Sequence, residues 1–537
     1  MSENQRVVRA AGLVAAVTLV SRFLGMFRDM AIAHAFGATP AADAFWVALR
    51  IPNTLRRLLG EGTLTVAMVP VLREARSRQG DPRALRIAQI TWSFFLLVVL
   101  VVGIAGSIAS PLVVRVLALG FIRDPVRLEL ATRLLHVTFP YLIFIGLVGL
   151  LQGVLNAFDR FFLPAFHPIL YNVALLTGAL MMSRWFDPPI LGLAWSVILA
   201  GVLQLLAHAP VLRAIGFDPR LRFERGDPEV GKILRLLGPA TFGIAIYQAN
   251  VFMGTLLASW LVPGAISWLH YADRVFQLPL GLFVIALSTA MLPTLSSQAH
   301  EGRSRDLHDT TETAVRVILF LTVPSAIALW VLATPIVSVI FRRGVFLAHD
   351  VAMTARALEL YALGLVPIAA GRILTQVFYS SQDPRAPARI AALAFVVNLL
   401  GSLALMPWLG HGGLALATSI SAWVQLVVTY RVLRGRWLRD LDSGALARAS
   451  ARMVLACLPM VWWTRWARAR FDWLAPGSAL PPLVWLAIGV AGGLVLYVAA
   501  QGLLGSPELA ALRAGVRLKR AGVTSPERIR WDSSTDS

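Results

Sequence analysis

The chain has 537 residues, 57% hydrophobic and only 15% charged, with a mean hydropathy of +0.70. That composition excludes an ordinary soluble globular protein and indicates a polytopic helical membrane protein. The formal charge of +20 does not imply a nucleic-acid partner, because the basic residues concentrate in particular loops, and the single Cys457 excludes an intramolecular disulfide or a cysteine metal site.

The start, MSENQRVVRA, lacks a small-residue cleavage site after a short apolar core, so the first helix is expected to be retained. About fourteen transmembrane helices are predicted, all α. They lie near 9–35, 42–72, 87–115, 131–157, 162–183, 189–212, 231–260, 264–298, 314–341, 353–380, 387–408, 412–434, 447–467 and 482–504. The first, second and thirteenth are weak by hydropathy because they carry arginines. The segments 72–86, 213–232 and 431–452 and the tail after Pro507 are rich in arginine, and an inside N-terminus puts all of them, with the C-terminus, in the cytoplasm. The outer loops 35–41, 261–265 and 409–413 are then uncharged. Loop 115–131, of mixed sign, and 465–470 (RWARAR) fit less well. The basic tail around Arg513, Arg517, Lys519 and Arg520 reads as a surface attracted to anionic lipid.

An internal repeat organises these spans. Residues 42–75 align without gaps with 265–298, and Ala42, Leu64, Ala67, Met68, Pro70 and Leu72 match Ala265, Leu287, Ala290, Met291, Pro293 and Leu295 at a constant offset of 223. Pro164 and Pro387 keep that offset. Residues 192–213 match 413–434 at an offset of 221, with Gln204 and Leu205 pairing with Gln425 and Leu426. Six spans per copy is an even number, so the copies are parallel repeats, an architecture that places a substrate site between the halves. The expected organisation is a six-helix lobe over 1–222, a second over 223–440, two extra helices over 441–505 and a basic cytoplasmic tail over 506–537.

Charges inside these spans are the functional signal. One charge at the bilayer centre costs about 3 kcal/mol on insertion scales, so such residues tend to face a wet cavity. Arg22, Arg28 and Asp29 lie in the first span, and Asp43, Arg50, Arg56 and Arg57 in the second, where Pro52 interrupts the helix beside Asn53. In the eighth, Asp273 and Arg274 are the only formal charges between Arg235 and Glu301. Ser267 lies seven residues before Arg274 and Gln277 one turn after it. A cationic cavity lined by Arg22, Arg28, Arg56 and Arg274 is expected at the interface of the halves, suited to pyrophosphate because guanidinium donates paired hydrogen bonds and stays protonated. The bland reading, snorkelling or structural ion pairing, suits Arg57 and Arg50 better. Asp29, Asp43 and Asp273 read as partners that hold the arginines. His167, His270 and His411 lack metal-ligand spacing and read as isolated polar residues; no nucleotide loop or catalytic carboxylate pair occurs, and no metal or cofactor is expected.

SRFLGMFRD (21–29), ADAFWVALRIPNTLRRLLGEG (42–62) and SWLHYADRVFQLPLG (267–281) closely resemble the MurJ (MviN) family of lipid II flippases, over about residues 8–520. The resemblance implies the fold of the multidrug/oligosaccharidyl-lipid/polysaccharide exporter group, two six-helix lobes around a central cavity plus two extra helices. It implies an inner-membrane, non-enzymatic protein that flips lipid II, undecaprenyl-pyrophosphate-linked disaccharide-pentapeptide, for cell wall synthesis, among membrane lipids and cell wall synthesis proteins. Arg22, Arg28, Asp43, Asn53, Arg56, Ser267 and Arg274 match positions important in that family, and the last two spans would form a groove for the isoprenoid tail. Gln277 stands where a relative has a glutamate. The seventh span, 236–260, lacks the carboxylate of the sodium site proposed there for some members.

The residues leave rivals open. Another polyprenyl-linked glycan would be recognised through the same pyrophosphate. A multidrug antiporter is expected to have membrane carboxylates outnumbering arginines, the reverse of this chain, and a membrane glycosyltransferase would need catalytic acids and long outer loops.

Overall fold

The structure is a computed structural model that describes residues 3–59, 63–224, 226–301, 303–438, 443–475 and 480–510. Its regular elements are all helical: α1 (Glu3–Phe36), α2 (Pro40–Leu59), α3 (Thr63–Gln79), α4 (Asp81–Ile108), α5 (Ser110–Leu117), α6 (Pro125–Thr138), α7 (Tyr141–Ala157), α8 (Phe162–Leu180), α9 (Ile190–Leu206), α10 (Ala209–Ala214), α11 (Pro228–Ala258), α12 (Ala265–Pro279), α13 (Ile285–His300), α14 (Ser304–Val331), α15 (Ala333–Phe341), α16 (Ala348–Ala362), α17 (Leu365–Ser380), α18 (Arg385–Leu409), α19 (His411–Arg436), α20 (Ser443–Ala469) and α21 (Leu480–Leu503). Short 3₁₀ turns and one π segment, Leu280–Val284, join some of them.

The second predicted span is two helices, α2 and α3, rather than one. The eighth is likewise divided into α12 and α13 by the π segment. The sequence supplies the cause: Gly60 and Gly62 follow α2, and Pro279 and Gly281 end α12. At the repeat offset Leu59 pairs with Leu282, so both copies break at one place. Among the described residues nine helical segments are long and apolar enough to cross a membrane, or ten if α16 and α17, bent by 43°, are one span. The four other predicted spans are also helical. Three of them are those carrying the arginines and aspartates in question, and the fourth is α11.

The chain divides into two compact units, Met1–Tyr271 with Phe341–Val351, and Ala272–Ile340 with Ala352–Ser537. In the first, α1 packs on α8, α8 on α9, α3 on α7, and α11 on α2 and α3. Its core is built from Leu64, Met68 and Leu72 of α3, Ile87 and Ile90 of α4, and Leu150 and Val154 of α7. The basic segment 72–86 is largely neutralised: Arg73 lies 2.7 Å from Asp159, Arg76 2.7 Å from Asp81, and Arg83 2.9 and 2.7 Å from Asp227 and Glu229. Lys232 lies 2.7 Å from Glu74 and, by that hydrogen bond, holds its carboxyl below the ordinary value. Asp227 caps α11 by accepting from the N–H groups of Glu229 and Val230, ahead of Pro228 in the first turn.

In the second unit α14 packs on α17 and α20, α18 on α19, and α20 on α21. Tyr497 of α21 donates to the Phe320 carbonyl at 2.9 Å, and Gln501 donates to the Tyr497 hydroxyl at 3.0 Å. The first of these bonds ties the last helix to α14, and the second lies within α21.

Candidate functional site

Arg28 lies near the end of α1, 8% exposed, in a helix pair that is otherwise mostly apolar. Its Nε and Nη2 both donate to Oδ1 of Asp29, at 2.9 and 2.6 Å. Its Nη1 donates to Oδ1 of Asn172 on α8 at 2.9 Å, and Asn172 returns its own amide N–H to the Ser21 carbonyl at 3.0 Å. The guanidinium also lies 5.8 Å from the Tyr171 ring centroid. Burial of a guanidinium is tolerable only when its donors are met in this way. Arg22 on the same helix is exposed. Asn172 is a residue that sequence reasoning missed, since a lone asparagine in an apolar helix carries no pattern.

Asp43, 1% exposed, opens α2 and accepts three hydrogen bonds: the Gly264 N–H at 2.7 Å, the Ser267 N–H at 2.9 Å and the Ser267 hydroxyl at 2.7 Å. The first turn of α12 leaves its N–H groups unpaired and carries positive partial charge, which a carboxylate answers. Gly264 has φ +94, and a Cβ there would stand 2.7 Å from the Ala38 carbonyl oxygen, so only glycine fits. Asp43 and Ser267, both expected to hold an arginine or contact cargo, thus meet each other.

Further contacts gather round this pair, all in the first unit. The rings of Trp46 and His270 stack with centroids 3.6 Å apart. Val345 N–H donates to the His34 carbonyl at 3.0 Å, and Trp268 Nε1 donates to Asp350 at 3.0 Å. Gly120 N–H donates to the Ser259 hydroxyl at 3.0 Å, while Arg123 lies over the Trp260 ring at 4.7 Å. Segments 259–271 and 341–351, which the repeat assigns to the second copy, therefore close on the ends of α1 and α2.

Arg50 is half-buried and its Nε donates to the Thr255 hydroxyl of α11 at 3.0 Å. Asn53 is half-buried; the side chains of Arg56 and Arg57 lie outside the described residues, as does the basic tail. In the second unit Asp273 and Arg274 are half-buried on α12, and the exposed Gln277 donates to Asp273 one turn back. The described residues contain no group of three or more histidine, cysteine or acidic side chains placed to hold a metal ion.

The sequence family described as lipid II flippase MurJ matches residues 32–500. The lipid II flippase MurJ of Burkholderia cenocepacia is 39% identical over 500 residues, 91% of this chain and 95% of that protein. The probable lipid II flippase MurJ of Vibrio cholerae is 36% identical over 482 residues, 86% and 91% of the two chains. Among solved structures, a lipid II flippase MurJ in an inward closed conformation superposes with a TM-score of 0.75 at 24% identity, covering 92% of this chain and 99% of that one. An inward-facing MATE-family multidrug transporter of the MOP superfamily follows with 0.67 at 16% identity, covering 80% and 100%. At these identities the superpositions establish the fold.

Proposed function

The chain belongs to the lipid II flippase MurJ family, and from that premise we propose that it carries lipid II from the cytoplasmic to the periplasmic leaflet by alternating access, as a multi-pass protein of the inner membrane with both termini in the cytoplasm. The observation that carries the reading is the family match across nearly the whole chain, joined to arginines placed in apolar helices where a neutral cargo would give them no purpose.

Arg28 would offer the pyrophosphate a guanidinium already oriented by Asp29 and Asn172. Arg22, Arg56 and Arg274 would add charge, with Asn53 and Gln277 as neutral donors. Desolvated guanidinium binds such a group in paired hydrogen bonds that lysine cannot match. The sugar-peptide headgroup would travel with the pyrophosphate while the isoprenoid tail stays in lipid along α20 and α21. The contacts of Asp43 with Gly264 and Ser267 would form a latch that holds the periplasmic end shut until cargo is bound, then open. The cargo is anionic, so an inside-negative potential drives it outward by about 2.3 kcal/mol per charge per 100 mV.

The test is lipid II translocation in proteoliposomes, comparing wild type with Arg28→Ala and Arg274→Ala at equal incorporation. Each variant is expected to lose at least about tenfold in initial rate, since a hydrogen bond to a charged group contributes about 1.5–3 kcal/mol. Wild-type rates in both variants would refute the arginine site. A wild-type protein that moves a different polyprenyl-pyrophosphate glycan but leaves lipid II in place would refute the cargo.

A further inference from the structure

Arg372 on α17 belongs to none of the charged sets described above. It is the only formal charge between Glu359 and Asp383, in a stretch apolar enough for α16 and α17 to pass together as one bent span. It lies eight residues before Ser380, the last residue of α17. At 1.5 Å per residue that is about 12 Å, more than two turns inside the helix, deeper than the terminal positions from which arginine snorkels. The side chain is exposed, and among the described residues it makes no hydrogen bond or ion pair. Arg28, by contrast, has its charge answered by Asp29.

The face that carries Arg372 is polar. Thr375, Gln376 and Tyr379 follow it at helical spacing, the first two half-buried and the third 51% exposed. Helix α18 of the same unit exposes Leu393, Val396, Leu400 and Leu403, the surface expected against lipid. A face of arginine, threonine, glutamine and tyrosine belongs against water instead. The repeat says where that face points. The offset of 223 sets Arg372 against Gly149 and Gln376 against Gly153, both buried on α7. A Cβ on Gly153 would stand 3.5 Å from Met68 of α3, itself 0% exposed. In the second unit α17 packs on α13, the counterpart of α3, but Met291, the counterpart of Met68, is only half-buried. Beside Arg372, a Cβ on Gly371 would meet nothing within 4 Å. The helix contact that glycines close in the first unit is thus looser in the second and carries a cation.

We infer that Arg372 is a cargo-binding residue, whose guanidinium takes the pyrophosphate of the lipid-linked cargo at the cleft between α13 and α17. Its donors are uncommitted and no carboxylate neutralises it, so its whole charge and its paired hydrogen bonds are available to a diphosphate. Apolar walls of low dielectric strengthen that attraction relative to bulk water. The inference rests on the flippase reading above and adds to it a contact in the second unit. The proposed topology puts the nearer end of α17 in the cytoplasm, so Arg372 stands on the side from which the cargo is loaded.

The test uses full-length protein in proteoliposomes, with Cys457→Ser to remove the native thiol and Gln376→Cys to place one a turn from Arg372. A membrane-impermeant methanethiosulfonate should modify this thiol readily and a Leu400→Cys control on the lipid face hardly at all. Excess lipid II should slow the modification. Adding Arg372→Ala should abolish that protection, and Arg372→Lys should keep part of it. In flipping assays at equal incorporation Arg372→Ala is expected to lose at least about tenfold in initial rate, as for a hydrogen bond to a charged group. Modification no faster than in the Leu400→Cys control, protection that survives Arg372→Ala, absence of protection by any polyprenyl-pyrophosphate, or wild-type flipping in Arg372→Ala would each overturn the inference. A wild-type protein that leaves lipid II in place, while another polyprenyl-pyrophosphate protects the thiol through Arg372, would overturn the choice of lipid II and support the contact itself.

Discussion

A guanidinium in an apolar helix pair must reach water or find acceptors, and Arg28 has found them. Two of its donors share one oxygen of Asp29 and a third is spent on Asn172 across the α1–α8 contact. Asn172→Ala would leave Nη1 without that acceptor while both partners of the ion pair remain. Transport is expected to fall by about tenfold, from the loss of a hydrogen bond worth about 1.5–3 kcal/mol. Initial flipping rates in liposomes would measure it, and Asn172→Asp, which keeps an acceptor oxygen, should recover part of the loss. Full activity in Asn172→Ala would remove Asn172 from the site. Arg28 and Asp29 were legible because charge in an apolar run is visible in one dimension. Asn172 was not, because its partner lies on another helix; the nearest hint was Gly25, where a Cβ would stand 3.5 Å from the Asn172 amide. Asp43 was legible as a buried charge but not by its partners, since backbone N–H groups of a distant helix start leave no mark in composition.

Whole elements explain the two loops that sit awkwardly with a positive interior. In 115–131, Asp124 caps α6 by accepting from the Arg127 N–H, and Arg127 returns its Nε to the other carboxylate oxygen at 2.6 Å. The backbone bond is the main reason the Asp124 carboxyl lies below its ordinary value. In 465–470, Arg468 donates to the Val331 carbonyl at 2.9 Å, where α14 ends, placing a cation on the negative end of a helix. These charges cap helices, a role that does not depend on which side of the membrane they face. Arg468→Met should therefore lower thermal stability in detergent by a few degrees, reflecting a loss of about 1–2 kcal/mol. An unchanged melting temperature would mean the cap contributes nothing. The helices and their order were legible from apolar runs. The breaks at Leu59 and Leu280–Val284 were not, because a proline or glycine within a long apolar run is as compatible with a kinked helix as with two.

At the scale of the whole molecule, the segments that match between the two halves of the sequence differ in their polar residues. His167 and His208 have no imidazole counterparts at Ile390 and Thr429, and the arginines of the first copy outnumber those at matching places in the second. The proposed latch draws its members from both copies: Asp43 and His34 from one, and Gly264, Ser267 and Val345 from the other. Each bond contributes about 0.5–1.5 kcal/mol net, somewhat more where the carboxylate is an acceptor, because water replaces it on opening. A latch of several such bonds is worth a few kcal/mol. That is comparable to what a doubly charged cargo gains from a potential of 100 mV, at about 2.3 kcal/mol per charge, so on the proposed mechanism cargo and potential together would suffice to open it. Asp43→Ala removes the acceptor common to three of the bonds and should shift the resting population toward the open end. Spin labels at the exposed Ile122 and Leu347, in a background lacking Cys457, would report this as a second, longer distance in the variant. If the variant kept the wild-type distance distribution, the hydrogen bonds of Asp43 would be no latch, and closure would rest on the Trp46–His270 stack and the glycine-tight backbone contacts instead.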